Sequence, residues 1–320
     1  MKKLGIKLGA VIMSAAFVLA GCGSSKTAQS NTNTTDKSAK LEVTASFYPM
    51  YDFAKKIGGD KVDVKTLIPS NVEPHDWEPT PKDLVEISKS KVFIYNGAGM
   101  ENWIDKVTKS SGNDKLITVD ASKGIQLLKG GEEEEENTAK QDKKTNESYD
   151  PHVWLAPQNA KIEMKNIMDA FVKADPENKA YFEKNYEENA KKLDALDKKY
   201  KETLSKTKRK DIVVAHQAFG YICKAYGLEQ VPIEGLSPDS EPDAAKMAEI
   251  TKFAKDNHVK YIFFEELVSP KVAETIAKEV GAKTEVLNPI EGLTEKQIKD
   301  GQDYFVIMTQ NLATLEKALN

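Results

Sequence analysis

Four histidines are present in the 320-residue chain, and three of them stand at interruptions of the hydrophobic pattern. His75 lies in Glu73-Pro74-His75-Asp76-Trp77-Glu78-Pro79, His152 in Asp150-Pro151-His152-Val153-Trp154, and His216 directly after the apolar run that ends at Ala215. A single loop histidine is ordinarily a surface residue. Three, far apart in sequence and each at a loop or strand end, have the arrangement from which folding assembles one divalent metal site. His258 reads as an ordinary helix-end residue. Two acids qualify as a fourth ligand. Glu291, in Leu287-Asn288-Pro289-Ile290-Glu291-Gly292, follows a strand within a proline- and glycine-marked loop, and it is preferred. Glu265, at the end of Tyr261-Ile262-Phe263-Phe264, is the second choice; its other role would be to orient a histidine by accepting the second ring N–H. Three neutral imidazoles and a carboxylate suit tetrahedral Zn(II). Asp76, Glu78 and Asp150 either balance the remaining charge or cap loops. Trp77 and Trp154, each two residues after a histidine, are expected to pack rather than to ligate.

These residues need a scaffold that turns distant loops toward one point. Short apolar runs at Leu41–Phe47, Val62–Ile68, Lys91–Tyr95 and Leu116–Val119 read as strands, with helices at Tyr51–Ile57 and Pro81–Ser88. Thr80, Pro81 and Asp83 form a helix start. After an interruption the alternation resumes, with strands at Asp211–Ala215, Glu229–Ile233, Lys260–Phe264 and Lys283–Leu287. Helices are expected at Gln217–Tyr226, Pro242–Asn257, Pro270–Val280 and from about Gly301 to Leu319. Unbroken apolar strands separated by helices imply parallel sheets covered on both faces. The fold class is therefore α/β: two similar parallel-sheet lobes, 41–172 and 210–320. No residue-level repeat relates them. A helix is expected from beyond Pro157 to about Lys173, and Asp175-Pro176-Glu177 starts a long one over 175–207. That segment carries Phe182, Tyr186, Ala190, Leu193, Leu196, Tyr200 and Leu204 on one face; it reads as the helix joining the lobes rather than as a coiled-coil strand. In open α/β sheets the ligand crevice lies at the carboxyl ends of the strands. His75 and His216 follow strands of different lobes, and His152 closes the first lobe, so the metal cleft falls between the lobes.

The remaining segments bear on location. Lys2, Lys3 and Lys7 followed by apolar Leu8–Ala20 are expected to form a signal peptide over 1–21, because a bilayer span takes about 20 apolar residues. Leu19-Ala20-Gly21-Cys22 resembles a lipobox, which implies lipidation of Cys22. A Ser/Thr/Asn/Lys stretch to residue 40 then reads as a flexible tether. Cys223 would be the remaining thiol, so no intramolecular disulfide is expected, and it reads as a small packing group. Loss of the three lysines takes the formal charge from −4 to −7. An acidic surface argues against nucleic acid. The stretch of about 130–149, with five consecutive glutamates at 132–136, reads as a solvated acidic loop.

Glu73-Pro74-His75-Asp76-Trp77-Glu78-Pro79-Thr80, Asp150-Pro151-His152-Val153-Trp154-Leu155, His216-Gln217-Ala218-Phe219-Gly220 with Gly235-Leu236-Ser237-Pro238-Asp239, and Leu287-Asn288-Pro289-Ile290-Glu291-Gly292-Leu293 together resemble the motifs of zinc-uptake solute-binding lipoproteins of bacterial ABC transporters. The resemblance covers nearly the whole chain after the signal segment. It implies two (β/α) lobes joined by one rigid helix, with His75, His152, His216 and Glu291 as ligands. It also implies a monomer tethered by lipid to the extracytoplasmic face of the membrane, which delivers Zn(II) to an ABC permease without catalysis. Manganese-binding relatives carry a carboxylate at the third ligand position; His216 there favours zinc over manganese as cargo. Many zinc members have a histidine-rich acidic loop, whereas the loop here contains no histidine. A metal-dependent adhesin is an alternative role. A zinc hydrolase is a further one, and would need an open coordination position beside a base such as Glu265.

Overall fold

Two four-stranded sheets form, their central strands β-branched or aromatic runs such as Val92-Phe93-Ile94-Tyr95 and Ile212-Val213-Val214 and their edges more polar, such as Val62-Asp63-Val64-Lys65-Thr66 and Lys283-Thr284-Glu285-Val286. The computed structural model describes residues 39–130, 148–238 and 242–320. The expected signal segment, Cys22, the expected tether to residue 38 and most of the acidic loop lie outside the described residues. In the first lobe β1 (Leu41–Ala45), β2 (Val62–Thr66), β3 (Val92–Tyr95) and β4 (Ile117–Asp120) pair in the order β2-β1-β3-β4, all parallel. In the second, β5 (Asp211–Val214), β6 (Glu229–Pro232), β7 (Tyr261–Phe264) and β8 (Lys283–Val286) pair as β6-β5-β7-β8, again parallel. The topology is the same in both. Central strands such as β1, β3 and β5 are buried along most of their length, whereas β6 and β8 at the edges are half-exposed. Strands covered on both faces have no polar alternation, which is why they are legible as continuous apolar runs.

The helices of the first lobe are α1 (Tyr48–Gly58), α2 (Pro81–Lys89), α3 (Ile104–Ser110) and α4 (Pro157–Ala174). Thr80 and Asp83 make the capping box that opens α2, the Thr80 N–H donating to Asp83 Oδ2 at 2.8 Å. The short α3 has no cap or periodicity to announce it. A 3-10 turn at Pro176–Asn178 leads into α5 (Lys179–Leu204), the long helix between the lobes. Its apolar face is buried from Phe182 to Leu204 and packs on α1 and α4. Asn185 Nδ2 donates to the Ile57 carbonyl at 2.9 Å on the first-lobe side, and the Tyr200 hydroxyl to the Met308 carbonyl at 2.7 Å on the other.

The second lobe carries α6 (Gly220–Tyr226), α7 (Ala244–Asp256), α8 (Lys271–Val280), α9 (Glu295–Lys299) and α10 (Tyr304–Ala318). Helix α6 starts at Gly220 rather than Gln217, because Gln217 donates its N–H to the Gly235 carbonyl at 2.8 Å and so leaves the helical path. Helix α10 starts after Asp303, whose carboxylate accepts from the Val306 N–H, rather than at Gly301. One apolar cluster runs through both lobes, from Val43 and Trp154 to Ile212, Leu287, Ile290 and Leu312; a smaller one fills the far side of the second lobe around Ile250, Ile262 and Ile276.

Candidate metal centre

In each sheet the strand order reverses beside the first strand, which opens a crevice at the carboxyl ends of β1 and β3 and of β5 and β7. His216 stands two residues past the end of β5 and Glu265 follows β7 directly. At the first-lobe crevice Asn96, just past β3, donates Nδ2–H to the Pro151 carbonyl at 2.9 Å and so ties down the segment carrying His152. Tyr221, on α6 of the other lobe, donates its hydroxyl to the Asp150 carbonyl at 2.9 Å. His75 sits on the irregular segment between β2 and α2.

Two of the histidine loops share one device. In Asp150-Pro151-His152 the Asp150 Oδ1 accepts the His152 backbone N–H at 2.9 Å, and in Glu73-Pro74-His75 the Glu73 Oε1 accepts that of His75 at 2.9 Å. An acid two residues upstream closes the turn, and the proline between restricts the backbone. Asp150 does more: the same oxygen lies 2.8 Å from His152 Nδ1, accepting that ring N–H and turning Nε2 toward the other site residues. Glu265 acts alike on His216, with Oε1 2.5 Å from Nδ1. Glu265 thus contacts His216 at the ring nitrogen away from the cluster, and Asp150 both caps its loop and contacts a ring in the same way. Gly220 permits this approach, since a Cβ there would lie 2.5 Å from Asp150 Oδ2.

The two Nε2 atoms turned inward in this way converge with that of His75 and with Glu291. His152 Nε2 lies 3.2 Å from His75 Nε2 and 3.2 Å from His216 Nε2. Glu291 Oε1 lies 3.1 Å from His75 Nε2, 3.0 Å from His152 Nε2 and 3.4 Å from His216 Nε2. The remaining separation, His75 to His216, falls within the 4.8 Å that encloses all four atoms. Bonds of about 2.0–2.1 Å to a tetrahedral zinc would set ligand atoms about 3.3–3.4 Å apart, so the observed spacing fits such an ion. His152 and His216 are fully buried and Glu291 nearly so; His75 is 10% exposed and borders a pocket of about 540 Å³ walled by Trp77 and Trp103. Asp76 and Glu78 line that pocket's exposed rim and stand outside the four-residue group. His258 is exposed at the end of α7, also outside it.

Charge inside this group is strongly coupled. Burial by itself raises the Glu291 pKa, but His216 beside it and hydrogen bonds from three histidines hold the carboxyl well below the usual range. Burial lowers His216, yet Glu265 and Glu291 outweigh it and bring the imidazole well above its ordinary value. His152 moves up more modestly; burial pushes it down, and the hydrogen bonds to Asp150 and Glu291 prevail. The cluster behaves as a carboxylate cradle for positive charge.

A family model described as zinc-uptake complex component A, periplasmic, matches residues 43–318. The chain belongs to this family. It is 49% identical over 312 residues to the high-affinity zinc uptake system protein ZnuA of Bacillus subtilis (strain 168), an alignment that takes in 97% of each chain. The zinc-binding lipoprotein AdcA of Streptococcus pneumoniae serotype 4 is 40% identical over 317 residues; the alignment covers 99% of this chain and 61% of AdcA, so the chain spans about three-fifths of that relative. The crystal structure of the Zn(II)-bound ZnuA-like domain of S. pneumoniae AdcA superposes with a TM-score of 0.76 at 40% identity, covering 88% of this chain and 99% of that one. Members of the zinc-uptake component family are solute-binding parts of a transporter.

Sequence reasoning singled out all four clustered residues. It missed Asn96, Tyr221 and the indole of Trp154, whose roles depend on contacts more than 50 residues away. The signal that could have revealed the loop acids was present: the repeated acid-Pro-His tripeptide.

Proposed function

We propose that this protein binds Zn(II) between its lobes through His75 Nε2, His152 Nε2, His216 Nε2 and Glu291 Oε1, and passes the ion to an ABC permease. The spacing of those four atoms carries the reading: five of their six separations lie between 3.0 and 3.4 Å, close to the edges of a zinc tetrahedron. Membership of the zinc-uptake family supports zinc as cargo. So does the third imidazole, because nitrogen-rich sets suit zinc better than the harder manganese ion. With four protein ligands no position is left for an activated water, so the site captures an ion and does not hydrolyse a substrate. Cys22, in its lipobox-like context, would hold the protein at the extracytoplasmic face of the membrane, as befits relatives called lipoproteins.

Competitive titration of metal-free protein with Zn(II) and Mn(II), beside the Glu291→Ala variant, tests the assignment. Zinc is expected to displace manganese at one site per chain, and Glu291→Ala to weaken zinc binding. A preference for manganese, or unchanged zinc affinity in Glu291→Ala, would sink the reading.

A further inference from the structure

The loops that bring candidate ligands from opposite lobes are joined by a hydrogen bond that involves no ligand atom. Trp154 stands two residues after His152, and Pro289 two residues before Glu291. The Trp154 indole N–H donates to the Pro289 carbonyl at 2.7 Å across the cleft. Trp154 is fully buried, so water does not compete for that carbonyl. Its ring packs edge-on against Phe47 with centroids 5.1 Å apart, and lies 5.3 Å from the His152 ring. Its own carbonyl accepts from the Tyr304 hydroxyl at 2.7 Å.

The Glu291 loop needs this restraint. Ile290, between Pro289 and Glu291, has φ of 62°, a left-handed conformation that is costly for a β-branched residue. Within its own lobe the loop is held one step upstream. Ile290 N–H donates to Asn288 Oδ1 at 2.7 Å, and Asn311 clasps the Asn288 backbone with bonds of 3.0 and 2.7 Å. On the side toward the first lobe, Gly292 lies so close to the Ser70 carbonyl that a Cβ would sit 2.0 Å from it. The indole bond adds a directional restraint at that boundary that no candidate ligand atom supplies.

We infer that Trp154 is a positioning residue for Glu291: through its indole N–H the first lobe sets the place of a carboxylate that the second lobe contributes. The spacing between His152 and Glu291 is then built by the protein rather than drawn together by the ion. This inference rests on the reading of Glu291 as the fourth ligand. Pre-set geometry acts on how long the ion stays, since a carboxylate held in place re-forms its bond faster than it is lost.

The test measures Zn(II) dissociation from the full-length protein into excess chelator by stopped flow, together with the visible spectrum of the Co(II) form. The variants are Trp154→Phe, Tyr304→Phe, Glu291→Gln and the double variant Trp154→Phe/Glu291→Gln. Trp154→Phe is expected to speed dissociation about threefold to tenfold, the effect of one buried hydrogen bond, and to alter the Co(II) bands. Glu291→Gln is expected to speed it further. The double variant should match Glu291→Gln alone, because Trp154 acts through that carboxylate. Tyr304→Phe, which removes only the hydroxyl behind Trp154, should shift the rate in the same direction and guards against loss of folding in the larger substitution. Multiplicative effects in the double variant would make Trp154 a packing residue only and overturn the inference. So would wild-type rates in both Trp154→Phe and Tyr304→Phe while Glu291→Gln weakens binding. Wild-type binding by Glu291→Gln would instead remove the ligand assignment itself, and the inference with it.

Discussion

Zinc capture is expected to expel close to two protons. Glu291, Glu265 and Asp150 are buried carboxyl groups, between 2% and 3% exposed, that face the three imidazoles. With Glu291 held well below the usual carboxylate range and both His216 and His152 raised, the metal-free cluster retains protons on these two histidines. A zinc ion brings the same double positive charge but requires both Nε2 lone pairs. Capture is therefore an exchange of two protons for one ion. Each proton contributes about 1.36 kcal/mol per pH unit, so below both shifted pKa values zinc affinity should fall about a hundredfold, or about 2.7 kcal/mol, for each unit of acidification. The sign follows from the upward shifts: affinity is lost as pH falls through the raised histidine values, so the decline begins above the ordinary imidazole value of about 6.5. Calorimetric titration with zinc at pH 6 in buffers of different ionisation enthalpy counts the protons directly. The count should approach two and diminish as pH rises. In Glu265→Gln it should drop, because His216 loses one of the two carboxylates that retain its proton. A count near zero at pH 6, or no change in Glu265→Gln, would refute the charge-exchange argument.

Other substitutions probe the scaffold. Glu163 on α4 is fully buried, neither oxygen has a hydrogen-bond partner among the described residues, and its pKa is driven well above the usual value by burial and then by Glu101 and Asp120. For an acid raised on folding, stability is greatest below its unfolded pKa and declines as pH rises toward the folded one. Glu163→Gln should therefore flatten the fall in Tm between pH 5 and 8 and gain about 1 kcal/mol or more at the upper end, read by thermal unfolding of the metal-free protein. Gly292→Ala should cost about 1–3 kcal/mol in denaturant unfolding and weaken zinc binding, since its Cβ would meet the Ser70 carbonyl at 2.0 Å. His258 adopts φ of 51° after α7, so His258→Gly should leave zinc stoichiometry unchanged and raise stability by about 0.5–1 kcal/mol in the same assay.

The parts of this fold that could be read in advance are those governed by local pattern. Strands such as β3, Val92–Tyr95, are buried on both faces and spell themselves as apolar runs; α2 has its capping box and α5 its seam of apolar residues. Helices α3 and α9 escaped because seven and five residues are too few for a periodicity to show. In the site, residue type revealed the three candidate imidazole ligands, since histidines are scarce and these three occur at breaks in the pattern, while Glu291 was preferred for its proline- and glycine-marked loop. Whether Glu265 ligates or orients could not be decided from spacing, because both acids follow strands of the same sheet. Only the three-dimensional path, which turns Glu265 to Nδ1 of His216 and Glu291 to the Nε2 atoms, separates them.

The apolar cluster that runs unbroken from Val43 to Leu312 carries a consequence for engineering. Resemblance between the lobes invites treating them as interchangeable modules, yet the larger cluster is shared between them and only the smaller one belongs to a single lobe. A chimera that exchanges one lobe for that of a relative would have to match a buried seam as well as a binding loop. A chain cut between Leu204 and Asp211 would leave two fragments with wide oily faces, able to recover their shape only by finding each other.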